Sequence, residues 1–329
     1  MTLIERLQSA MRENARAQCL AEHIPPFTAF FHPRDLLTSL NYAVPDAPLA
    51  GDLSAELDAL RAAFRRRHRR LRLEFIEEFA PGLGHALLAG GLLEEARQPL
   101  MVCTPESWRP PPHVPGLSVA ALDATAPLEA IKEYLATNEL GFNPQGSGVF
   151  SDEDALRFRR ELASGRAFTA YLDGQPAGAG MFNPPRGGLA ELVGITTLAP
   201  FRRRGVATAL TAHMARTAFE LGASAAFLTA ADEAASRVYE RAGFRRAGTM
   251  LAYIEPLSVE RMTARPSPAP GRSATTARPG STTLTSPTPG PDEVSRSGRK
   301  AHPRDLCARA CGIIRPSQKQ MCATPQRRP

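Results

Sequence analysis

The chain has 329 residues, 43% of them hydrophobic, so it is long enough for two domains and apolar enough to bury a core. Its net charge of +7 belongs to the end of the chain, because residues 262–329 contain 12 of the 40 basic but only 3 of the 33 acidic side chains. The rest is nearly neutral, so a nucleic-acid partner is not expected. Apolar stretches are too short for a membrane span, and Glu5, Arg6 and Arg12 interrupt the place of a signal sequence, which favours a cytoplasmic protein.

The five cysteines predict neither a metal site nor a disulfide framework. Their number is odd, their spacings are wide and no Cys-x-x-Cys pair occurs. We therefore expect reduced thiols and no bound metal.

Composition divides the chain into three regions. The run Arg-Pro-Pro-Pro-His-Val-Pro at residues 109–115 predicts a stiff linker. After residue 258, Ser, Thr, Pro, Gly and Arg dominate, which is typical of a segment that cannot bury enough apolar surface to fold. The prediction is a first domain over residues 1–112, a second over 113–258 and a disordered tail over 259–329.

The predicted elements indicate an α/β (α+β) fold, with a mixed, mostly antiparallel sheet flanked by helices and partly duplicated. Asp173-Gly174 is a strong hairpin signal, and Gly222 and Gly243 are typical helix ends. In chain order, the first domain is expected to contain a helix over 54–70 and strands over 71–76 and 99–103. The second is expected to contain a strand over 117–122, helices over 127–140 and 152–164, strands over 166–172, 176–182 and 188–197, a helix over 206–222, a strand over 223–229, a helix over 233–242 and a strand over 245–254.

An internal duplication is predicted from one offset. Subtracting 152 places Gly243 on Gly91, and the helix-strand-helix-Gly-strand series of the second domain then falls on the series in the first. The first domain has no counterpart of the arginine-glycine turn that precedes Ala207.

That turn is the most informative segment. A strand over residues 191–197 leads through Leu198-Ala199-Pro200-Phe201 into Arg202-Arg203-Arg204-Gly205-Val206-Ala207-Thr208 and a helix. Such a turn presents free backbone N–H groups at the positive end of a helix dipole, and small residues let phosphates approach closely. It predicts a pyrophosphate-binding turn, although no P-loop lysine follows. An arginine-rich surface turn is the alternative.

Two motifs resemble the GNAT acyltransferases, which bind acetyl-CoA. Arg202-x-x-Gly205-x-Ala207 resembles that family's Q/R-x-x-G-x-G/A signature. Ala235-Ser236-Arg237-Val238-Tyr239-Glu240-Arg241-Ala242-Gly243-Phe244 is similar to its A-x-x-x-Y-E-x-x-G-F segment. The resemblance covers residues 115–255, with residues 1–112 as a degenerate copy.

The resemblance implies a cofactor site and a general acid. The strand edge would hydrogen-bond the pantetheine arm, the turn amides would bind the pyrophosphate and the arginine side chains would lie near the phosphates. Tyr239 would protonate the departing CoA thiolate; a phenol with a pKa of about 10 suits this role, with helix packing as the alternative. Asp232 stands where many relatives carry Asn. The cofactor-binding residues would be Ile195, Thr196, Thr197, Arg202, Arg203, Arg204, Gly205, Val206, Ala207 and Thr208.

Glu191 is the candidate general base. It lies 11 residues before Arg202, a spacing that resembles the glutamate base of the histone-acetylating branch of the family. On a strand it shares a face with Val193 and Ile195, which would place it in the cofactor cleft. Desolvation there would raise its pKa. A structural glutamate, with the amine deprotonated through water, is the alternative.

The sequence thus predicts an acetyl-CoA-dependent N-acetyltransferase, with no metal and with a small-molecule or peptide amine as acceptor. A catalytically silent CoA-sensing or partner-binding protein is the rival hypothesis, and a homodimer stays open. The first domain should bind no CoA, because Leu87 aligns with Tyr239 and Asp52 lies in the aligned turn. It should serve as scaffold and acceptor-site wall, with a core that includes Leu71, Leu73, Phe75, Leu87, Leu88, Leu92 and Met101.

Overall fold

The structure is a computed structural model that describes residues 1–49, 51–162 and 165–257, and the tail predicted over 259–329 lies outside these residues. The described helices are α1 (Leu3–Gln18), α2 (Ser54–Arg66), α3 (Leu83–Ala89), α4 (Leu128–Phe142), α5 (Asp152–Leu162), α6 (Val206–Glu220) and α7 (Glu233–Arg241). The described strands are β1 (Leu20–Ile24), β2 (Phe27–Phe31), β3 (Asn41–Pro45), β4 (Arg72–Ile76), β5 (Leu93–Cys103), β6 (Leu117–Leu122), β7 (Arg166–Leu172), β8 (Gln175–Phe182), β9 (Leu189–Thr197), β10 (Ala225–Thr229) and β11 (Arg245–Ile254).

All eleven strands form one sheet, in the order β1-β2-β3-β4-β11-β5-β10-β9-β8-β7-β6. Only β3–β4 and β9–β10 pair in parallel; the other described neighbours are antiparallel. Helices pack against this sheet, which confirms the predicted mixed, mostly antiparallel fold.

The two halves of the sheet exchange strands at its centre. Strand β11, the last strand described, lies between β4 and β5 and runs antiparallel to both. Strand β5 in turn lies between β11 and β10. The predicted boundary at residue 112 falls in the irregular segment that joins β5 to β6. It therefore separates strands that lie side by side in one sheet.

The ends of helices α2 and α6 have matching hydrogen bonds, as a duplication requires. After α2, the amide of Arg69 donates to the Phe64 carbonyl oxygen at 2.9 Å, and after α6 the amide of Ala223 donates to the Ala218 oxygen at 3.0 Å. In both cases the residue before the donor has a left-handed backbone, and after α6 this is the predicted Gly222, with φ of 90°. This is the Schellman arrangement, which satisfies carbonyl groups at a helix end.

Helices α3 and α7 repeat the same arrangement and thereby fix the alignment of the halves. Leu92 N donates to Leu87 O at 3.0 Å, and Phe244 N donates to Tyr239 O at 3.2 Å. A left-handed glycine stands before each donor. Leu87 thus lies at the same position of its helix end as Tyr239, in agreement with the offset of 152.

The core of the first half lies between the strands β4 and β11 and the helices α2 and α3. Of the seven apolar residues expected there, five are buried in it, Met101 is buried in the core of the second half, and Leu88 is 49% exposed. Leu88 follows the buried Leu87 on α3, and successive residues on a helix point in directions about 100° apart. The prediction for Leu88 was therefore wrong.

Candidate active site

The sheet opens between β9 and β10. These strands pair only where Leu189, Ala190 and Glu191 meet the start of β10, and β9 then continues to Thr197 without that neighbour. The pairing of β9 with β8 shifts register in the same stretch, and Gly194 has a φ of 65°. A bulge of this kind bends a strand. The bend separates β9 from β10 and leaves the edge of residues 195–197 facing a gap.

The edge of β9 presents main-chain groups to the gap. Leu198 N donates to Ala177 O of β8 at 2.9 Å, so by strand alternation the main-chain groups of Thr197 face the gap. The side-chain oxygen Oγ1 of Thr197 is buried without a hydrogen-bond partner. This hydroxyl lies beside Gly178 of β8, so it is on the face of the sheet and not in the gap. Thr196 instead packs beneath Gly141 of α4.

The turn after β9, residues 202–208, is called the cradle below, and its backbone leads directly into α6. A 3₁₀ turn at Ala199–Phe201 is followed by Arg203 with φ of 62° and Gly205 with φ of 83°, and α6 then begins at Val206. A Cβ atom on Gly205 would also lie 3.0 Å from Val114 Cγ2. Glycine therefore suits this position both because of its positive φ and because of the close contact. No side chain caps the α6 N-terminus. Its first amides are therefore available at the positive end of the helix dipole.

The three arginines of the turn have different surroundings. Arg202 Nε donates to Thr197 O at 3.1 Å, and its Nη2 lies 3.5 Å from Gly141 O, so this side chain joins β9 to α4. Arg204 forms an exposed ion pair with Asp173 at 3.4 Å. Arg203 is exposed at the cradle.

A cavity of about 130 Å³ lies at the inner end of the gap and contains both candidate catalytic residues. Glu191, Ile195 and Tyr239 line it from the second half. Strands β4 and β5 and the 3₁₀ turn Thr38–Leu40 line it from the first half. The strand exchange places β5 beside β10 and β4 beside β11, so both halves build one cavity.

Tyr239 projects from α7 into this cavity. Burial, together with the negative charge of Asp232, raises the pKa of its phenol to about 12. Asp232 is the N-cap of α7, where its carboxylate accepts from Ala235 N at 2.8 Å. The residue that departs from the family pattern thus has a structural role, and it favours a protonated Tyr239.

Glu191 lies in the same cavity with both halves around its carboxylate. Its Oε2 atom accepts from Asn14 Nδ2 at 2.7 Å and from Asn183 Nδ2 at 3.1 Å. Burial raises the pKa of Glu191, and the two hydrogen bonds offset part of that effect. Asn14 comes from α1 in the first half, and no sequence motif pointed to it.

Within residues 1–49, 51–162 and 165–257, no group of three or more His, Cys, Asp or Glu side chains is placed to bind a metal ion. In the same residues, no helix has both the length and the apolar character needed to cross a bilayer. Cys19 and Cys103 are free thiols.

Solved structures that are similar to this chain include proteins described as GNAT acetyltransferases. A GCN5-related N-acetyltransferase from Kribbella flavida has 26% sequence identity and a TM-score of 0.65, over 78% of this chain and 96% of that chain. A GCN5-related N-acetyltransferase from Sphaerobacter thermophilus has 15% identity and a TM-score of 0.52, over 70% and 76%. A tandem GNAT protein from the clavulanic acid biosynthesis pathway, solved without AcCoA, has 16% identity and a TM-score of 0.50, over 69% and 77%. The last two comparisons show likeness of fold alone.

At the level of sequence, no curated protein gives a significant match. The family model described as "Acetyltransferase (GNAT) family" matches residues 132–244, which include β9, the cradle, α6 and α7. Residues 132–244 of this chain therefore belong to the GNAT acetyltransferase family.

Proposed function

We propose that the protein is an N-acetyltransferase that moves the acetyl group of acetyl-CoA to a primary amine by direct attack. The observation that carries this proposal is the single cavity in which Tyr239 and Glu191 lie at the end of the gap between β9 and β10. A GNAT fold supports acetyl transfer in general, and these two side chains supply the proton transfers that the reaction needs.

The acyl donor fits the gap and the cradle. The amides from Arg203 to Thr208 would bind the pyrophosphate, as at other helix N-termini that bind phosphate groups. The pantetheine arm would follow residues 195–197, where β9 has no neighbouring strand on the side of β10. Arg203 and Arg204 would lie near the phosphates, whereas Arg202 would hold the edge of β9 in place.

Acetyl transfer requires one proton to leave the amine and one to reach the sulfur. The neutral amine nitrogen attacks the acetyl carbonyl carbon while Glu191 takes its proton, and a C–N bond forms. The tetrahedral intermediate then collapses, the C–S bond breaks and Tyr239 donates its phenolic proton to the CoA sulfur. Glu191 returns its proton and Tyr239 regains one through solvent, so both residues end as they began.

The pKa values of the two groups suit these roles. With a pKa of about 12, Tyr239 remains protonated at neutral pH and can act as the acid. The raised pKa of Glu191 is closer to neutral pH than that of an ordinary glutamate. A general base is most effective when its pKa is near the pH of the reaction.

The test is incubation of the full chain with acetyl-CoA and a panel of primary amines, following free thiol by absorbance and acetylated amine by mass spectrometry. We expect amine-dependent thiol release and stabilisation of the protein against heat by acetyl-CoA. Stabilisation without transfer to any amine would instead identify a CoA-binding protein without turnover. No stabilisation at millimolar acetyl-CoA would contradict the cofactor assignment.

A further inference from the structure

The first half brings a charged cluster into the cavity that holds Tyr239 and Glu191. Arg72 and Glu74 come from β4, and Glu95 comes from β5. With Glu191, the described side chains that line the cavity include three carboxylates and one guanidinium group. Carboxylates are therefore in excess where the acceptor amine must enter.

The guanidinium group is already engaged. Arg72 Nε donates to Glu95 Oε2 at 2.5 Å, and Nη1 forms a second ion pair with Glu74. The Arg72 and Glu74 side chains are 9% and 4% exposed. Arg70 also acts on Glu95 electrostatically, but its Nε donates to the main-chain oxygen of Glu255 at 2.5 Å, and Arg70 does not line the cavity. Arg72 thus organises the two carboxylates and is poorly placed to receive a negatively charged ligand.

A buried hydroxyl group gives a second and independent indication of a ligand. Ser39, in the 3₁₀ turn Thr38–Leu40, is 2% exposed and lines the same cavity. Its Oγ atom has no hydrogen-bond partner in the structure. A hydroxyl can accept a hydrogen bond from an ammonium group, which carries donors only. An ammonium group at this position could donate to the Ser39 hydroxyl and to a carboxylate at the same time.

We propose that the acceptor is a small diamine, whose second, unreacted ammonium group binds to Glu74, Glu95 and Ser39 of the first half. The reacting amine would lie at Tyr239 and Glu191, so this inference rests on the proposed function. The cavity volume of about 130 Å³ is close to the roughly 150 Å³ of an engineered cavity that admits benzene, so a short carbon chain fits. A carboxylate in place of the ammonium group would face three carboxylates, and an alkyl end would leave Ser39 without a partner.

Three amines of equal chain length test the inference: butane-1,4-diamine, butylamine and 4-aminobutanoate. Their affinities are measured by calorimetry with the full chain in the presence of CoA, and their kcat/KM values by thiol release. A charge-assisted hydrogen bond changes affinity by about 10-fold or more. We expect both the affinity and the kcat/KM for butane-1,4-diamine to exceed those for butylamine by at least about that factor. Both values should be lowest for 4-aminobutanoate.

Substitutions show which carboxylate carries the preference. Glu95→Gln removes one negative charge beside Arg72. It should therefore lower the affinity for butane-1,4-diamine more than that for butylamine, and it should raise the affinity for 4-aminobutanoate. Glu94→Gln is the matched control, because Glu94 pairs with Arg97 and does not line the cavity. If Glu95→Gln does not fold, Ser39→Ala tests the same subsite. It should lower the affinity for butane-1,4-diamine and leave the affinities for the other two amines unchanged.

The possible outcomes separate the two proposals. Equal affinities, no binding of any of the three amines, or a preference for 4-aminobutanoate would overturn the diamine assignment. Acetylation of butylamine as efficient as that of the diamine would overturn it too, but would leave the proposed function intact. Preferential binding of the diamine without acetylation would support the subsite and contradict the proposed function.

Discussion

The two halves of the sheet have the same helix-strand-helix-strand series but differ at the helix that would bind the cofactor. In the second half, α6 begins at the left-handed Gly205 with no side-chain cap. In the first half, Asp52 Oδ1 accepts from the amide of Ser54 at 3.0 Å and from its hydroxyl at 2.5 Å, at the start of α2. A carboxylate of the chain itself thus lies where the counterpart would bind a pyrophosphate. The comparison teaches that a duplicated fold keeps its scaffold when its own side chain occupies the ligand's place.

The halves differ again at the position of the proton donor. Leu87 and Tyr239 accept equivalent hydrogen bonds at the ends of α3 and α7, yet Leu87 is fully buried among apolar side chains. Tyr239 instead reaches a cavity. What the first half contributes to that cavity is its wall: Ser39, Arg72 and the carboxylate partners of Arg72.

The largest expected effect comes from separating the halves. A fragment of residues 113–258 lacks β4 and β5. In this fragment β11 loses both of its neighbouring strands, and β10 loses one of its two. It should therefore show no cooperative thermal unfolding by circular dichroism and no acetyl transfer. A chain of residues 1–257 keeps every described strand and is the control. A cooperative transition with full activity from 113–258 would contradict the shared sheet.

Gly205→Glu should abolish the binding of acetyl-CoA, because it places a negative side chain at the amides of the cradle. Gly51→Glu in the first half is the matched control, since Gly51 is also left-handed, with φ of 95°, and has no atom near its Cβ position. Calorimetry should give one acetyl-CoA per chain for the wild type and for Gly51→Glu. Two molecules per wild-type chain would show that the first half also binds the cofactor. Gly205→Ala separates the effect of backbone strain from that of charge.

Tyr239→Phe should lower kcat by about 10²-fold or more, as expected for a lost general acid, while acetyl-CoA affinity is kept. The ring and its packing remain, and only the proton donor is removed. Tyr171→Phe is the control, because burial also raises the pKa of Tyr171 to about 12 but its hydroxyl binds Glu133 outside the cavity. An unchanged kcat would assign Tyr239 a packing role.

The smallest effect concerns stability. Because burial raises the pKa of Glu191 above its value of about 4.3 in an unfolded chain, the unfolded state releases this proton first as pH rises. The contribution of Glu191 to the free energy of unfolding therefore falls above that pH. Glu191→Gln, whose amide oxygen can still accept from Asn14 and Asn183, should raise Tm at neutral pH and lose this advantage near pH 4.

The same variant tests the role of Glu191 in the reaction. As a general base, Glu191 must be ionised, so wild-type kcat/KM should fall toward acid with an apparent pKa above the ordinary value for glutamate. Glu191→Gln should lose both this limb of the profile and most of the activity. A profile unchanged by the substitution would favour deprotonation of the amine through water.

Local signals predicted the elements of the second half well. Asp173 and Gly174 both have positive φ in the turn between β7 and β8, as their sequence indicates. No element is predicted for residues 1–45, although Thr2 and Glu5 form a capping box at the start of α1. This signal was available and would have predicted that helix.

Strand partners and half of the cavity could not be predicted in the same way. Residues 248–254 of β11 are all buried, and such a run in the sequence does not show which strands β11 joins. Ser39, Arg72 and Glu95 lie far in sequence from the motifs around Tyr239, and only the strand exchange brings them to one cavity. A motif in one half carries no information about residues that tertiary pairing supplies from the other.

The strand exchange also has a consequence for synthesis of the chain. Strand β5 ends at Cys103, but its neighbour β11 ends at Ile254, about 150 residues later. At roughly 5–20 residues per second on the ribosome, β4 and β5 would wait about 8–30 s for that neighbour, with unpaired edges that can associate with other chains. The nascent first half therefore cannot complete its sheet before the second has been made, and a chaperone that covers strand edges would act in that interval.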